Sequence, residues 1–111
     1  MTIKQLLERE VFQVICDGDN LEVEITKPFC CDLLSIAMGK APTGCAWVTV
    51  MGNINTLAVA ALTEAACIIL AEGVQLDQMA MAKAKEEGIT VLGSEQPIYD
   101  TAKLVDLMIH D

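Results

Sequence analysis

Three short polar breaks, Gly52-Asn53-Ile54-Asn55, Glu72-Gly73 and Gly93-Ser94-Glu95, each follow an apolar, β-prone run. Where such a break opens a helix, the first turn presents unpaired amides that suit an anionic or polar group. Asparagine side chains add donors and acceptors. Thr49, Gly52, Asn53, Asn55, Gly73 and Ser94 are therefore the candidate ligand-binding residues of a site for a small polar molecule. The same types also serve structural ends: Asn53 or Asn55 can cap a helix, Gly73 and Gly93 permit turns, and Thr49 can be a core hydroxyl bonded to backbone.

Harder chemistry finds no footing in the residues. A phosphate loop needs GxxxxGK[ST], and Gly39-Lys40-Ala41 lacks both the upstream glycine and the hydroxyl, which disfavours kinase or ATPase activity. No strand is followed by GxGxxG, the dinucleotide fingerprint. His110, the only histidine, lies one residue from the C-terminus and makes a poor general base. The carboxylate pairs Glu8/Glu10 and Glu86/Glu87 read as solvated faces. Cys16, Cys30, Cys31, Cys45 and Cys67 are an odd number without CxxC or Cys/His spacing, and four of them lie in or beside apolar runs, as small hydrophobes do. On a strand, adjacent Cys30 and Cys31 point to opposite faces. No catalytic residue, metal ligand or cofactor is predicted, since metal and iron–sulfur sites need three or four convergent ligands.

The elements that must hold the loops follow from pattern. Thr2 and Gln5 form a capping box before a short helix. Val11 to Cys16, the turn Asp17-Gly18-Asp19-Asn20 and the alternating Leu21 to Ile25 predict a β-hairpin, with Lys27-Pro28 interrupting further pairing. Asp32 is placed as the N-cap of a helix over Leu33 to Met38. Cys45 to Met51, apolar on both faces, predicts a central strand. A helix to about Thr63, the buried strand Cys67 to Leu70, a helix from Asp77 to Glu87 stopped by Gly88, the strand Ile89 to Leu92 and a last helix after Pro97 complete the order αββαβαβαβα. The expectation is a single α/β domain over residues 1–111, with a mixed, mostly parallel sheet and flanking helices.

Composition points to self-association. The 111 residues are 53% hydrophobic, with mean hydropathy +0.44, and a domain this small leaves much of its surface exposed. A homodimer sharing an apolar helix–sheet surface follows. The net charge of −9, from 16 acidic and 7 basic residues, repels nucleic acid and anionic membranes. No apolar run approaches the roughly 18 residues that span a bilayer, and the charged MTIKQLLERE start has no signal-peptide core, so a cytoplasmic protein is expected.

Placed in order, Val23 to Thr26, Asp32-Leu33-Leu34-Ser35, Trp47-Val48-Thr49-Val50 and Asn55 followed by Ala58-Val59-Ala60 resemble a stand-alone DRTGG domain. That module also occurs inside some CBS-domain pyrophosphatases and phosphotransacetylases and is similar in fold to the N-terminal domain of HPr kinase/phosphorylase. Lys27-Pro28 stands where the family usually shows Gly-Gly, a rigid backbone in place of a flexible one. The resemblance implies a dimerising or regulatory module. The functional expectation is a non-catalytic regulatory or assembly module that homodimerises, senses a small polar ligand and has a protein partner or a small nucleotide as its further partner. The alternatives are an adenine-nucleotide-binding sensor and a redox or metal-linked protein using Cys30 and Cys31.

Overall fold

Three neighbouring strands are buried at every position, so the sheet has to be covered on both faces. The computed structural model describes residues 1–111. Its elements are α1 Ile3–Glu8, β1 Gln13–Cys16, β2 Pro28–Cys30, α2 Leu34–Lys40, β3 Ala46–Thr49, α3 Ile54–Thr63, β4 Cys67–Leu70, α4 Gln78–Glu87, β5 Thr90–Gly93 and α5 Ile98–Ile109. The sheet order is β1-β5-β4-β3-β2. β2 to β5 are mutually parallel, and β1 pairs antiparallel with β5 at one edge. This is the expected mixed, mostly parallel α/β architecture.

Alternation along the central strands sends side chains to two separate cores. Val48, Ile69 and Leu92 pack with Ile3 and Leu6 of α1 and with Val105 and Met108 of α5. Trp47, Ile68 and Val91 pack on the opposite face with Ala37 of α2, Leu57 and Ala60 of α3, and Ala80 and Ala84 of α4. The helices start where their caps lie. Thr2 and Gln5 form the capping box of α1, Asn53 accepts from the Thr56 amide at α3, and Asp77 accepts from the Ala80 amide at α4, which ends on left-handed Gly88.

The hairpin is not formed. β1 pairs with the distant β5, and the alternating segment Leu21 to Ile25 meets the N-terminus through Ile3 N to Val23 O (3.0 Å) and Ile25 N to Met1 O (2.8 Å). The reason is topological. β1 and β2 occupy opposite edges, about 19 Å apart at four strand spacings, so residues 17–27 must cross beneath the amino ends of the parallel strands. They do so in steps: Asp19 N donates to Gly88 O, and Thr26 N to Gly44 O. Midway, Asn20 donates to the Ala66 carbonyl (2.8 Å) and accepts from the Thr90 hydroxyl (2.9 Å). Pro28 then opens β2 instead of interrupting it, pairing opposite Ala46; the first residue of an edge strand is a place where a missing amide is tolerated. No helix is long and apolar enough to cross a membrane.

Asn20 is the one side chain of this strap that bonds to both β4's approach and β5. Asn20→Ala leaves the Thr90 hydroxyl and the Ala66 carbonyl unpaired, and is expected to lower stability by about 2–3 kcal/mol. At roughly 4–8 °C per kcal/mol for a domain of this size, the melting temperature falls by about 10 °C or more. Urea denaturation monitored by Trp47 fluorescence checks this; a change below about 0.5 kcal/mol would show that the strap needs no anchor.

Candidate functional site

The carboxyl ends of the parallel strands carry all six candidate residues, but in three separate settings. At the ends of β2 and β3, fully buried Thr49 donates its hydroxyl to Asp32 Oδ1 (2.7 Å) and accepts from the Met51 amide (3.2 Å). The same Asp32 oxygen accepts from the Val50 amide (3.1 Å). Asp32 is thus drawn away from the helix it was expected to cap, and Leu33 stands at the N-cap of α2 with no side-chain cap. The carboxylate gains a hydroxyl and an amide from the neighbouring strand end, a better donor set than one helix amide.

Gly52 and Asn53 turn the chain from β3 into α3. A Cβ on Gly52 would lie 2.5 Å from the Gln75 carbonyl oxygen, so this glycine is required by close packing of two loops. Asn53 Oδ1 accepts from the Thr56 amide (3.1 Å). Asn55 lies two residues further, in the first turn of α3, exposed beside a groove lined by Leu34, Met38, Ala58 and Leu62.

Gly73 and Ser94 do come together. They line a cleft of about 350 Å³ with Gln13, Gln75, Glu95 and Gln96. Its frame is main-chain: Glu72 N donates to Gln96 O (2.9 Å), Gly73 N to Ser94 O (2.9 Å) and Ser94 N to Leu70 O (2.8 Å). Gly73 has φ +71, and the Glu95 carboxylate occupies the space a Cβ would need, at 2.7 Å. Ser94 Oγ accepts from the Thr101 hydroxyl (2.9 Å) and from the Gln96 amide (3.1 Å). Its own proton is left to donate into the cleft. Glu72, beside Gly73, also has positive φ (58), a conformation that is strained for a side chain with a Cβ.

The glutamines of this cleft and Asp32 escape a reading of the sequence alone. Gln13, Gln75 and Gln96 come from three segments with no shared spacing, and an amide leaves no trace in hydrophobic periodicity. For Asp32 and Thr49, only the parallel pairing of β2 with β3 brings positions 32 and 49 together.

The thiols sort by environment. Cys45 and Cys67 are buried, and burial pushes them up from near 9 to about 11 and about 12 respectively. Cys30 is exposed, yet its thiol is also raised, first by desolvation and then by the Asp32 carboxylate. That lowers its thiolate fraction, the opposite of what a reactive cysteine needs. Cys31 Sγ donates to the Leu33 carbonyl (3.3 Å), while its own carbonyl accepts from Trp47 Nε1 (2.9 Å). No group of three or more His, Cys, Asp or Glu side chains is placed to hold a metal ion.

Comparison with known proteins adds family and fold. The DRTGG domain model matches residues 13–108. Among solved structures, the chain is similar to the CBS and DRTGG domains of the regulatory region of Clostridium perfringens pyrophosphatase, complexed with the activator diadenosine tetraphosphate. The TM-score is 0.74 at 13% identity, covering 97% of this chain and 46% of that one. The chain therefore spans about half the length of that structure, and the likeness is one of fold. No curated protein matches in sequence.

Two outcomes test this geometry. Thr49→Val keeps the shape but removes a donor to Asp32 and an acceptor for Met51, and should lower stability by about 1–3 kcal/mol in urea denaturation; no loss would mean that the Asp32 contact is incidental. The second concerns pH. Because the folded-state values of Cys45 and Cys67 are raised, their contribution to stability is fully present below about pH 9 and is lost as pH climbs towards 11 and 12. Stability measured at pH 7, 9 and 10.5 should decline over that window, and the decline should be smaller in Cys45→Ala.

Proposed function

The chain belongs to the DRTGG domain family, and from that premise we propose that it is a regulatory or assembly module with no catalytic step of its own. It pairs with a second copy and responds to a small polar ligand held at the carboxyl ends of β4 and β5. The observation that carries this reading is the cleft in which Gly73 and Ser94 meet Gln13, Gln75 and Gln96. Ligands on open α/β sheets gather at the carboxyl ends of strands. Each glutamine offers one acceptor and two donors, and Ser94 offers a further proton.

Charge narrows the ligand. The cleft holds one carboxylate, Glu95, and no lysine or arginine among its lining residues. A phosphate would meet a negative group with no counter-charge there. A neutral or cationic compound with N–H donors would meet amides and a carboxylate acceptor, the complement it needs.

A second reading, an adenine-nucleotide sensor, is favoured by one observation: the fold neighbour is a regulatory region complexed with diadenosine tetraphosphate. The two readings part in a thermal-shift series with adenosine, AMP, ATP and diadenosine tetraphosphate beside neutral and cationic amides. Binding at 100 times Kd stabilises by about 2.7 kcal/mol. The first reading expects adenosine or an amide to raise the melting temperature more than ATP, with the shift lost in Gln75→Ala. A larger shift with ATP or the dinucleotide favours the second. No shift from any compound counts against ligand sensing in both forms.

A further inference from the structure

From Leu33 to Thr63 the chain contains a single charged residue, Lys40, although the molecule as a whole carries 16 acidic and 7 basic residues. All of the acidic residues lie outside that stretch. Part of it is the buried strand β3, where a lack of charge is expected. The rest is α2 and α3, and these lie on the surface. α3 reads INTLAVAALT with no charge at all. Of α2, only Ala37 is buried.

The uncharged surface is also apolar. Leu62 of α3 is 70% exposed, Ile36 of α2 is 50% and Met38 is 48%. Met38 and Leu34 face Ala58 and Leu62 across a groove of about 490 Å³ between the two helices, with no charged residue in its lining. On its other side, Leu62 borders a hollow of about 440 Å³ shared with α4, whose rim is the Lys83–Glu87 ion pair (3.1 Å). Leu62 therefore stands as a ridge between two depressions, with Ala58 as the low point common to both. A solvated helix normally shows charge on its outer face; this one has a knob beside a hole.

We propose that this α2–α3 face is the interface between two copies of the chain, with α3 crossing α3 about a twofold axis and Leu62 of each copy seated over Ala58 of the other. The inference rests on the pairing reading above and names its surface. Three observations select a second copy as the occupant. Two molecules of net charge −9 repel wherever their acidic faces meet, and the α2–α3 groove is where an identical molecule brings no carboxylate in its own lining, the nearest on the rim, Glu87, being paired with Lys83. A knob and hole supplied by neighbouring residues of one helix are self-complementary, which is what a twofold contact requires, and ridge-into-groove packing over an alanine lets two helices approach closely. Pairing through the sheet is hindered at both edges, by Pro28 opening β2 and by the irregular register between Val14 and Cys16 in β1.

Sedimentation velocity on the full chain tests this. The wild type should be dimeric at about 10 µM, and Leu62→Glu should weaken association roughly 100-fold by placing a carboxylate in the contact. Met79→Glu, an equally exposed apolar site on α4 (67%), should leave the dimer intact. Circular dichroism of Leu62→Glu should match wild type, since the side chain is exposed. Raising salt should strengthen the dimer, because it screens the repulsion between acidic bodies while leaving an uncharged contact untouched. A dimer that survives both Leu62→Glu and Met38→Glu, or that salt dissociates, overturns this face while the pairing reading stands. A wild type that stays monomeric at about 100 µM overturns both.

Discussion

Burial of β3, β4 and β5 at every position is the constraint from which the rest of the molecule follows. A strand with no solvent-facing side must be apolar throughout, and its two faces must each receive a layer of helix. The chain has five helices for this. α2, α3 and α4 cover one face and α1 and α5 the other. Because the crossovers after β2, β3 and β4 all return on the same side, the strands line up in sequence order, with their carboxyl ends opening on one edge. That edge is where Asp32, Thr49, Gly73 and Ser94 are found.

The same constraint explains where the fold was legible. Strands that are apolar on both faces and helices with clear caps announce themselves locally, so β3, β4, β5, α3 and α4 follow from the residues alone. The β1–β5 pairing does not. Asp17-Gly18-Asp19-Asn20 is a strong turn by local chemistry, and Leu21 to Ile25 alternates as a strand should, yet both serve a crossing that only the strand order makes necessary. Asn20 shows how: a turn residue by type, it acts as a bracket between Ala66 and Thr90.

The candidate site was legible in part for a related reason. Glycine and serine at strand ends are visible, and Gly73 and Ser94 meet in one cleft. Gly52 and Asn53 stand at an equally conspicuous break, but a loop carbonyl and a helix amide claim them. Asp32 looked like a cap because capping is a local rule, and Thr49 reached it first through strand pairing. What distinguishes a cleft from a cap is whether another segment fills the space in front of it, and that depends on contacts between residues far apart in the chain.

Lys27-Pro28 stands at the entrance to the parallel edge strand, with Pro28 as the first residue of β2. Pro28 stiffens the entrance to β2 and brings no amide to the sheet's edge. β2 is thereby kept short and unsuited to receiving another strand, while α2, which follows it, has little of its own surface buried. An apolar chain of this size still has hydrophobic area to cover. With the parallel edge blunted, that area is concentrated on helices, and association through side chains in a groove is favoured over extension of the sheet. Pro28 thus bears on which surface is left open to a partner, the helices and not the sheet edge, and it does so apart from the cleft at the far ends of β4 and β5.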